Sequence, residues 1–325
     1  MLNRGWPDDE TLWAALALAV RAPSVHNAQP WRFRIGDRGL HLFLDPQQAQ
    51  SSTGADLRDA VMSCGAALHH LRIALAAAGW SAVVRRLPDP ANPQHLAWIG
   101  LVRHRPTMLE RALSNAISRR QTDRRSFDPA PIPPGYVGLL NERVATLGAS
   151  VRQAVDTTRE RLVDVLQESA SGDSRTPEHR LELADWSGRP TPSNGIAAQR
   201  IPPRAQSLAE LETGYFSTGN SGLDFAELLV LGTSTDDRLA HLSAGEALSA
   251  VLLTATNVGL ATGVLTEPLE APELRRRIRV GVLENRAYPQ AVVRIGWGPA
   301  DGVALPVTPR RTVAEVLDHC EMVRR

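Results

Sequence analysis

Arg21-Ala22-Pro23-Ser24-Val25-His26-Asn27-Ala28-Gln29-Pro30-Trp31-Arg32-Phe33 crowds polar side chains into a bend between two patterned stretches. Before it, Thr11 to Val20 is helix-like. After it, Trp31–Ile35 and Leu40–Leu44 read as strands, and Gly36-Asp37-Arg38-Gly39 between them predicts a hairpin turn. Pro23 and Pro30 fix φ and lack a backbone donor, so the helix cannot run on and Ser24, Asn27 and Gln29 must project from an irregular loop. Loops braced by regular elements often carry function. Taken alone, the same bend also suits an ordinary connection whose Ser and Asn satisfy local backbone groups.

The chain around the bend has 325 residues, more than one core comfortably organises, which predicts two lobes or two packed halves. An apolar share of 43% supplies ample material to bury, and a net charge of +1 argues against a nucleic-acid partner. All 36 basic residues are arginine, which excludes lysine Schiff-base chemistry and a P-loop lysine. Cys64 and Cys320 are too few and too far apart for a disulfide framework or a thiolate metal site, as expected in a reducing cytoplasm. The apolar run Leu12–Val20 looks superficially like a signal peptide. Pro7, Asp8, Asp9 and Glu10 ahead of it instead mark a helix start, with acids at the positive end of the dipole. No run is read as long enough to span a bilayer, so the expectation is a soluble cytoplasmic protein.

Two stretches share one order of elements. Leu40–Leu44, a helix over about 56–78, then strands at 80–86 and 96–102 are matched by Glu227–Leu231, a helix over 243–258, then strands at 261–265 and 291–297. Cys64-Gly65-Ala66-Ala67-Leu68 aligns with Ala244-Gly245-Glu246-Ala247-Leu248, and Gly79 with Gly259 in the same register. Both helices are apolar over most of their circumference, which predicts a buried central pair. His69 and His70 diverge on such a helix and have no metal-ligand partners at suitable spacing, so they read as core histidines. A further helix is expected over 135–147. Residues 186–222 carry many Gly and Pro with little period; Trp186, Ile201, Tyr215 and Phe216 within them suggest a packed lid. The Arg275-Arg276-Arg277/Arg279 run reads as a solvated helix face.

Two arginine segments complete the pattern. Arg119, Arg120, Thr122, Arg124 and Arg125 lead into Phe127-Asp128-Pro129, and Pro306-Val307-Thr308-Pro309-Arg310-Arg311-Thr312 lies near the end. The first alone would pass for a solvated helix end. Together with Ala22-Pro23-Ser24-x-x-Asn27-x-Gln29-Pro30-Trp31, however, they resemble the flavin loop and the opening and closing arginine motifs of the FMN-dependent nitroreductases, in the single-chain Acg-like branch. The resemblance covers nearly the whole chain.

That resemblance implies an α+β nitroreductase-like fold made of two related halves, 1–110 with the loop and 111–325 with both arginine motifs, forming a pseudo-dimer around one flavin. It implies FMN as cofactor and NAD(P)H as electron donor, with a nitroaromatic, quinone or similar acceptor. It assigns the cofactor site to Ser24, Asn27, Gln29, Pro30, Trp31, Arg32, Phe33, Arg120, Thr122, Arg124 and Arg310. Arg120 and Arg310 would grip the phosphate, Ser24, Asn27 and Gln29 would meet the ribityl chain and ring edge, and Arg124 would sit near N1 and O2 to favour reduction. The backbone of 264–267 would approach N5. This sequence departs from the family pattern by the extra residue Asp123 and by Thr308 in place of a basic residue. No residue presents itself as a catalytic proton donor, and no metal site is expected. The alternative is a protein that stores FMN beneath a closed lid without turnover; a third is a scaffold with a vestigial site.

Overall fold

The computed structural model describes residues 5–36, 39–49, 54–171, 224–300, 305 and 307–318. The proposed lid at 186–222 lies outside them. By internal contacts the chain divides into two compact units. The first comprises Met1–Arg119, Asp237–Ser249 and Arg310–Arg325; the second comprises Arg120–Asp236 and Ala250–Pro309. Two stretches from the later part of the chain thus join the first unit.

In the first unit, α1 (Asp9–Ala19) starts where the acidic run predicts, with the Asp8 carboxylate accepting from the Thr11 N–H at 2.8 Å. The bend follows, then β1 (Trp31–Gly36) and β2 (Gly39–Leu44) pair as the expected antiparallel hairpin. A short turn of helix, α2 (Pro46–Ala49), precedes the long α3 (Gly54–Ala77), then β3 (Trp80–Arg86), β4 (His95–Arg103) and α4 (Met108–Arg119). At the far end of the chain, α9 (Val313–Val316) leads to β9 (Leu317–Asp318), which adds parallel to β1. The sheet order is β3–β4–β2–β1–β9.

The second unit holds α5 (Gly135–Ala145), β5 (Ala149–Ala154), α6 (Asp156–Ser171), β6 (Glu227–Thr233), β7 (Ala261–Leu265), α8 (Pro272–Gly281) and β8 (Tyr288–Gly296). Its antiparallel sheet runs β5–β6–β8–β7. The helix α7 (Arg238–Asn257) begins in the first unit and ends in the second.

The repeat read from the sequence is present in the topology. In one sheet β3–β4–β2–β1 are neighbours; in the other, β7–β8–β6–β5 occupy the same places. The equivalent pairs β2/β4 and β6/β8 each carry one register shift, at Leu42/Phe43 and Leu231/Gly232. Gly79 and Gly259 end their helices at φ +92° and +88°, a conformation that favours glycine. One connection is not repeated. Residues 20–30 separate α1 from β1, whereas only 146–148 separate α5 from β5.

Gly65 and Gly245 explain why the register is kept. A Cβ on Gly65 would lie 2.1 Å from the Leu242 carbonyl oxygen, and one on Gly245 would lie 1.9 Å from that of Met62. Within the first unit, α3 and the start of α7 therefore cross with backbones in contact. One turn along, His69 Nδ1 lies 2.8 Å from Ser249 Oγ, which is 3.0 Å from His70 Nδ1. Burial drives His69 down to about 3, so it stays neutral. Both histidines belong to the helix crossing, as the sequence pattern suggests. Arg72 and Arg86 close on the fully buried Glu246 at 2.5 and 2.6 Å.

Leu57–Ala77 and Arg238–Asn257 are each long and apolar enough to cross a membrane, contrary to the expectation that no run would be. In each, 78% of the apolar stretch is buried inside the protein, as in a core helix. The arginine run on α8 is neutralised locally, as expected of a solvated face. Arg275 pairs with Asp236, Arg276 with Glu273 and Arg277 with Glu168, while Arg279 lies 3.8 Å over the Tyr288 ring.

Candidate functional site

The bend between α1 and β1 is a strained piece of backbone. Ser24 is extended and opens a single 3-10 turn over Val25–Asn27; His26, Asn27 and Gln29 then all take positive φ, at 49°, 60° and 52°. None of these is glycine, so surrounding bonds must hold the shape. The Ser24 hydroxyl accepts from the Gln29 N–H at 3.0 Å, and the Ser24 carbonyl accepts from the Asn27 N–H at 3.1 Å. From α3, Ser63 Oγ accepts from the Val25 N–H at 3.4 Å, and the Cys64 thiol donates to the Pro30 carbonyl at 3.2 Å. Arg21 donates to the Ser118 carbonyl at 3.1 Å, two residues before Arg120.

The side chains named from the sequence fall into two groups. Gln29, Trp31 and Phe33 have no solvent exposure, and Pro30 is buried; Trp31 and Phe33 belong to the hydrophobic core under the bend. Both rings pack beneath the bend and support its backbone. Ser24 is at intermediate exposure, and Asn27 is buried at 7%. Arg32 is 42% exposed and pairs with Asp45 at 3.6 Å and Asp318 at 3.3 Å, so its charge is used within the sheet.

Gln29 is the hinge pin of the arrangement. Its Oε1 accepts from the Arg311 backbone N–H at 2.8 Å, its Nε2 donates to the Asn27 carbonyl at 3.3 Å, and its own carbonyl accepts from Arg311 Nη1 at 3.3 Å. Arg311 also donates to the Glu315 carbonyl at 2.7 Å and faces Asp45 at 3.7 Å. Thr312 and Glu315 form a capping box that opens α9. The closing arginine segment is thus fastened to the bend inside one unit. Arg311 is the anchor, and Arg310 stands beside it at intermediate exposure.

The opening arginine segment lies in the second unit. Thr122 bridges Thr262 in parallel, and the Asp123 N–H donates to the Thr262 carbonyl at 2.8 Å. Asp123, the additional residue, is 3% exposed; its carboxylate takes the Arg125 guanidinium through two atoms, at 3.0 and 2.8 Å. Arg125 is thereby occupied. Arg124, at intermediate exposure, makes no hydrogen bond or ion pair among the described residues, and Arg120 is buried at 5% exposure. Gln29's bracing role, Arg311 and Asp123 were not legible as such. The signal available was that Arg311 follows Arg310, and adjacent residues in an extended segment face opposite ways.

The chain is an α+β protein whose first unit locks a closing arginine segment to a strained, amide-bearing bend. No family model matches the sequence. Full-length relatives do. The Mycobacterium tuberculosis protein "Putative NAD(P)H nitroreductase Rv3131" is 42% identical over 331 residues, covering 100% of this chain and 96% of its own. The similarly named acg of the same organism is 35% identical, covering 94% and 95%. The chain belongs to this NAD(P)H nitroreductase family. Among solved structures, the FMN-dependent nitroreductase NfnB of Mycobacterium smegmatis in complex with NADPH aligns at TM-score 0.44 and 18% identity, over 64% of this chain and 97% of that one.

Proposed function

We propose that this protein is an FMN-dependent oxidoreductase that draws electrons from NADH or NADPH and passes them to a nitroaromatic, quinone or similar acceptor. The observation that carries the reading is the Gln29–Arg311 junction, which sets Arg310, of intermediate exposure, next to the strained bend of Ser24 and Asn27. The donor set suits FMN: a phosphate monoester carries close to two negative charges, and arginine answers it with a two-pronged fork. On this reading Arg310 and Arg120 bind the phosphate, Ser24 and Asn27 orient the ribityl chain and ring edge, and Arg124 brings positive charge to the pyrimidine side. FMN, when bound, supplies the redox step at N5. Gln29 acts through Arg311, by holding the closing segment in place.

The repeated sheets support a further part of the reading, that the sequence halves 1–110 and 111–325 imitate a dimer in one polypeptide, the later half giving segments to the unit built on the earlier one. The missing counterpart of the bend at 146–148 supports a single flavin per chain. A cytoplasmic setting, where reduced nicotinamides are available, fits this chemistry.

The test is a flavin titration followed by anaerobic reduction. The wild-type protein should quench FMN fluorescence on binding, and NADH or NADPH should bleach the bound flavin. Persistence of colour with both donors, alongside ready bleaching by dithionite, would favour storage over turnover. Arg310→Ala should weaken FMN binding by about 1.5–3 kcal/mol, roughly 10- to 150-fold. Unchanged affinity would remove Arg310 from the site.

A further inference from the structure

Arg294, on β8, is the largest buried group in the second unit that the proposed site leaves unused. It has no solvent exposure. Its Nε donates to Asp224 Oδ2 at 3.1 Å and its Nη2 to the same oxygen at 2.5 Å. It also donates through Nη1 to the Asp123 carbonyl at 3.4 Å and through Nη2 to the Arg125 carbonyl at 3.2 Å. The guanidinium lies 4.5 Å over the Phe127 ring, and Phe127 itself lies against Gly296, where a Cβ would meet it at 2.7 Å. Asp224 completes the frame, accepting from the Phe127 N–H at 3.0 Å and the Ala226 N–H at 3.3 Å through Oδ1.

The carbonyls that Arg294 holds belong to the residues on either side of Arg124. The Asp123 N–H is also tied to the Thr262 carbonyl, and the Arg125 N–H donates back to Asp123 Oδ1 at 3.0 Å. Position 124 is therefore bracketed on both sides while its own side chain is left without a partner among the described residues. A fully buried guanidinium is costly to desolvate and stabilises little by itself. Here it does something an apolar residue of the same volume could not, because it reads two carbonyls and a carboxylate at once.

We propose that Arg294, with Asp224, is a positioning residue that sets the direction of Arg124 toward the flavin ring. The inference rests on the FMN reading above. It predicts that Arg294 matters to flavin binding only through Arg124, so a double-mutant cycle separates it from a merely structural role. The FMN dissociation constant is measured for wild type, Arg124→Ala, Arg294→Lys and the double variant, with Asp224→Asn and Asp224→Asn/Arg124→Ala as a second, milder cycle in case Arg294→Lys fails to fold.

Arg294→Lys and Asp224→Asn should each weaken binding about five- to tenfold in the presence of Arg124 and less than twofold in its absence. Arg294→Lys should also lower the flavin reduction potential in the direction Arg124→Ala does. Equal effects in both backgrounds would overturn the proposal, as would wild-type affinity in Asp224→Asn. Absence of FMN binding by the wild-type chain would instead refute the FMN reading itself, so the two failures are distinguishable.

Discussion

Gly245→Ala tests whether backbone contact between α3 and α7 organises the first unit. The new Cβ would fall 1.9 Å from the Met62 carbonyl oxygen and 2.7 Å from its carbon. Restoring an ordinary contact of 3.4 Å means parting the helices by about 1.5 Å, in a core packed to crystal-like density. Overpacking typically costs about 1–3 kcal/mol, and here the obstacle is a backbone carbonyl that no rotamer change can move, so a loss of at least about 3 kcal/mol is expected. Gly65→Ala, with its Cβ 2.1 Å from the Leu242 oxygen, should behave alike. One separation relieves both clashes, so the double variant should lose clearly less than the two single losses combined. Gly138→Ala is the control: it lies inside α5 with nothing within 4 Å, and alanine there should stabilise by up to about 1 kcal/mol. Guanidinium unfolding followed by tryptophan fluorescence and near-UV circular dichroism gives all four values. A Gly245→Ala protein within 1 kcal/mol of wild type, or strict additivity in the double variant, would refute the reasoning.

Gln29→Ala should cost about 2–4 kcal/mol of stability, since it orphans the buried Arg311 N–H and empties a fully enclosed site; it should also weaken FMN binding, and denaturation together with flavin titration checks both. His69 is held neutral in the folded state, near 3 against about 6.5 in the unfolded chain, so only the unfolded chain gains a proton as pH falls below 6.5. Stability should drop by about 1.4 kcal/mol per pH unit from 6.5 toward 3 on this account, and His69→Gln should lose about 2 kcal/mol less than wild type between pH 6.5 and 5. The Cys64 thiol is pushed far above its ordinary range by burial, so in a Cys320→Ser background it should resist a disulfide reagent at pH 8 until denaturant is added. Rapid native-state labelling would contradict that burial.

Much of the fold was legible because its signals are local and periodic. The hairpin after the bend, both long helices and β7 fall where alternation, apolar runs and end glycines predict, and Gly65/Gly245 aligned because both must let a neighbouring backbone through. What could not be read is long-range partnership. Nothing in the sequence says that the segment after Arg310 joins the bend's unit, or that β9 adds to β1 in parallel, since such pairing leaves no periodic trace. Site residues were legible by type and obscured in role. Trp31 and Phe33 follow the polar bend in sequence, yet the strand sends them into the core. Asp123 reads in the sequence only as an extra residue in the family pattern, and its contact with Arg125 leaves no sequence trace.

The bend's backbone constrains a position that its sequence pattern leaves open. His26 sits between the Ser and Asn that the pattern specifies, at φ 49°. Asparagine, aspartate, histidine and glycine tolerate such a left-handed turn, whereas valine, isoleucine and threonine incur a steric penalty there. Natural variation at residue 26 should therefore draw on that short alphabet even though no ligand need touch it, and a library built for new acceptors would waste its β-branched members at this one codon.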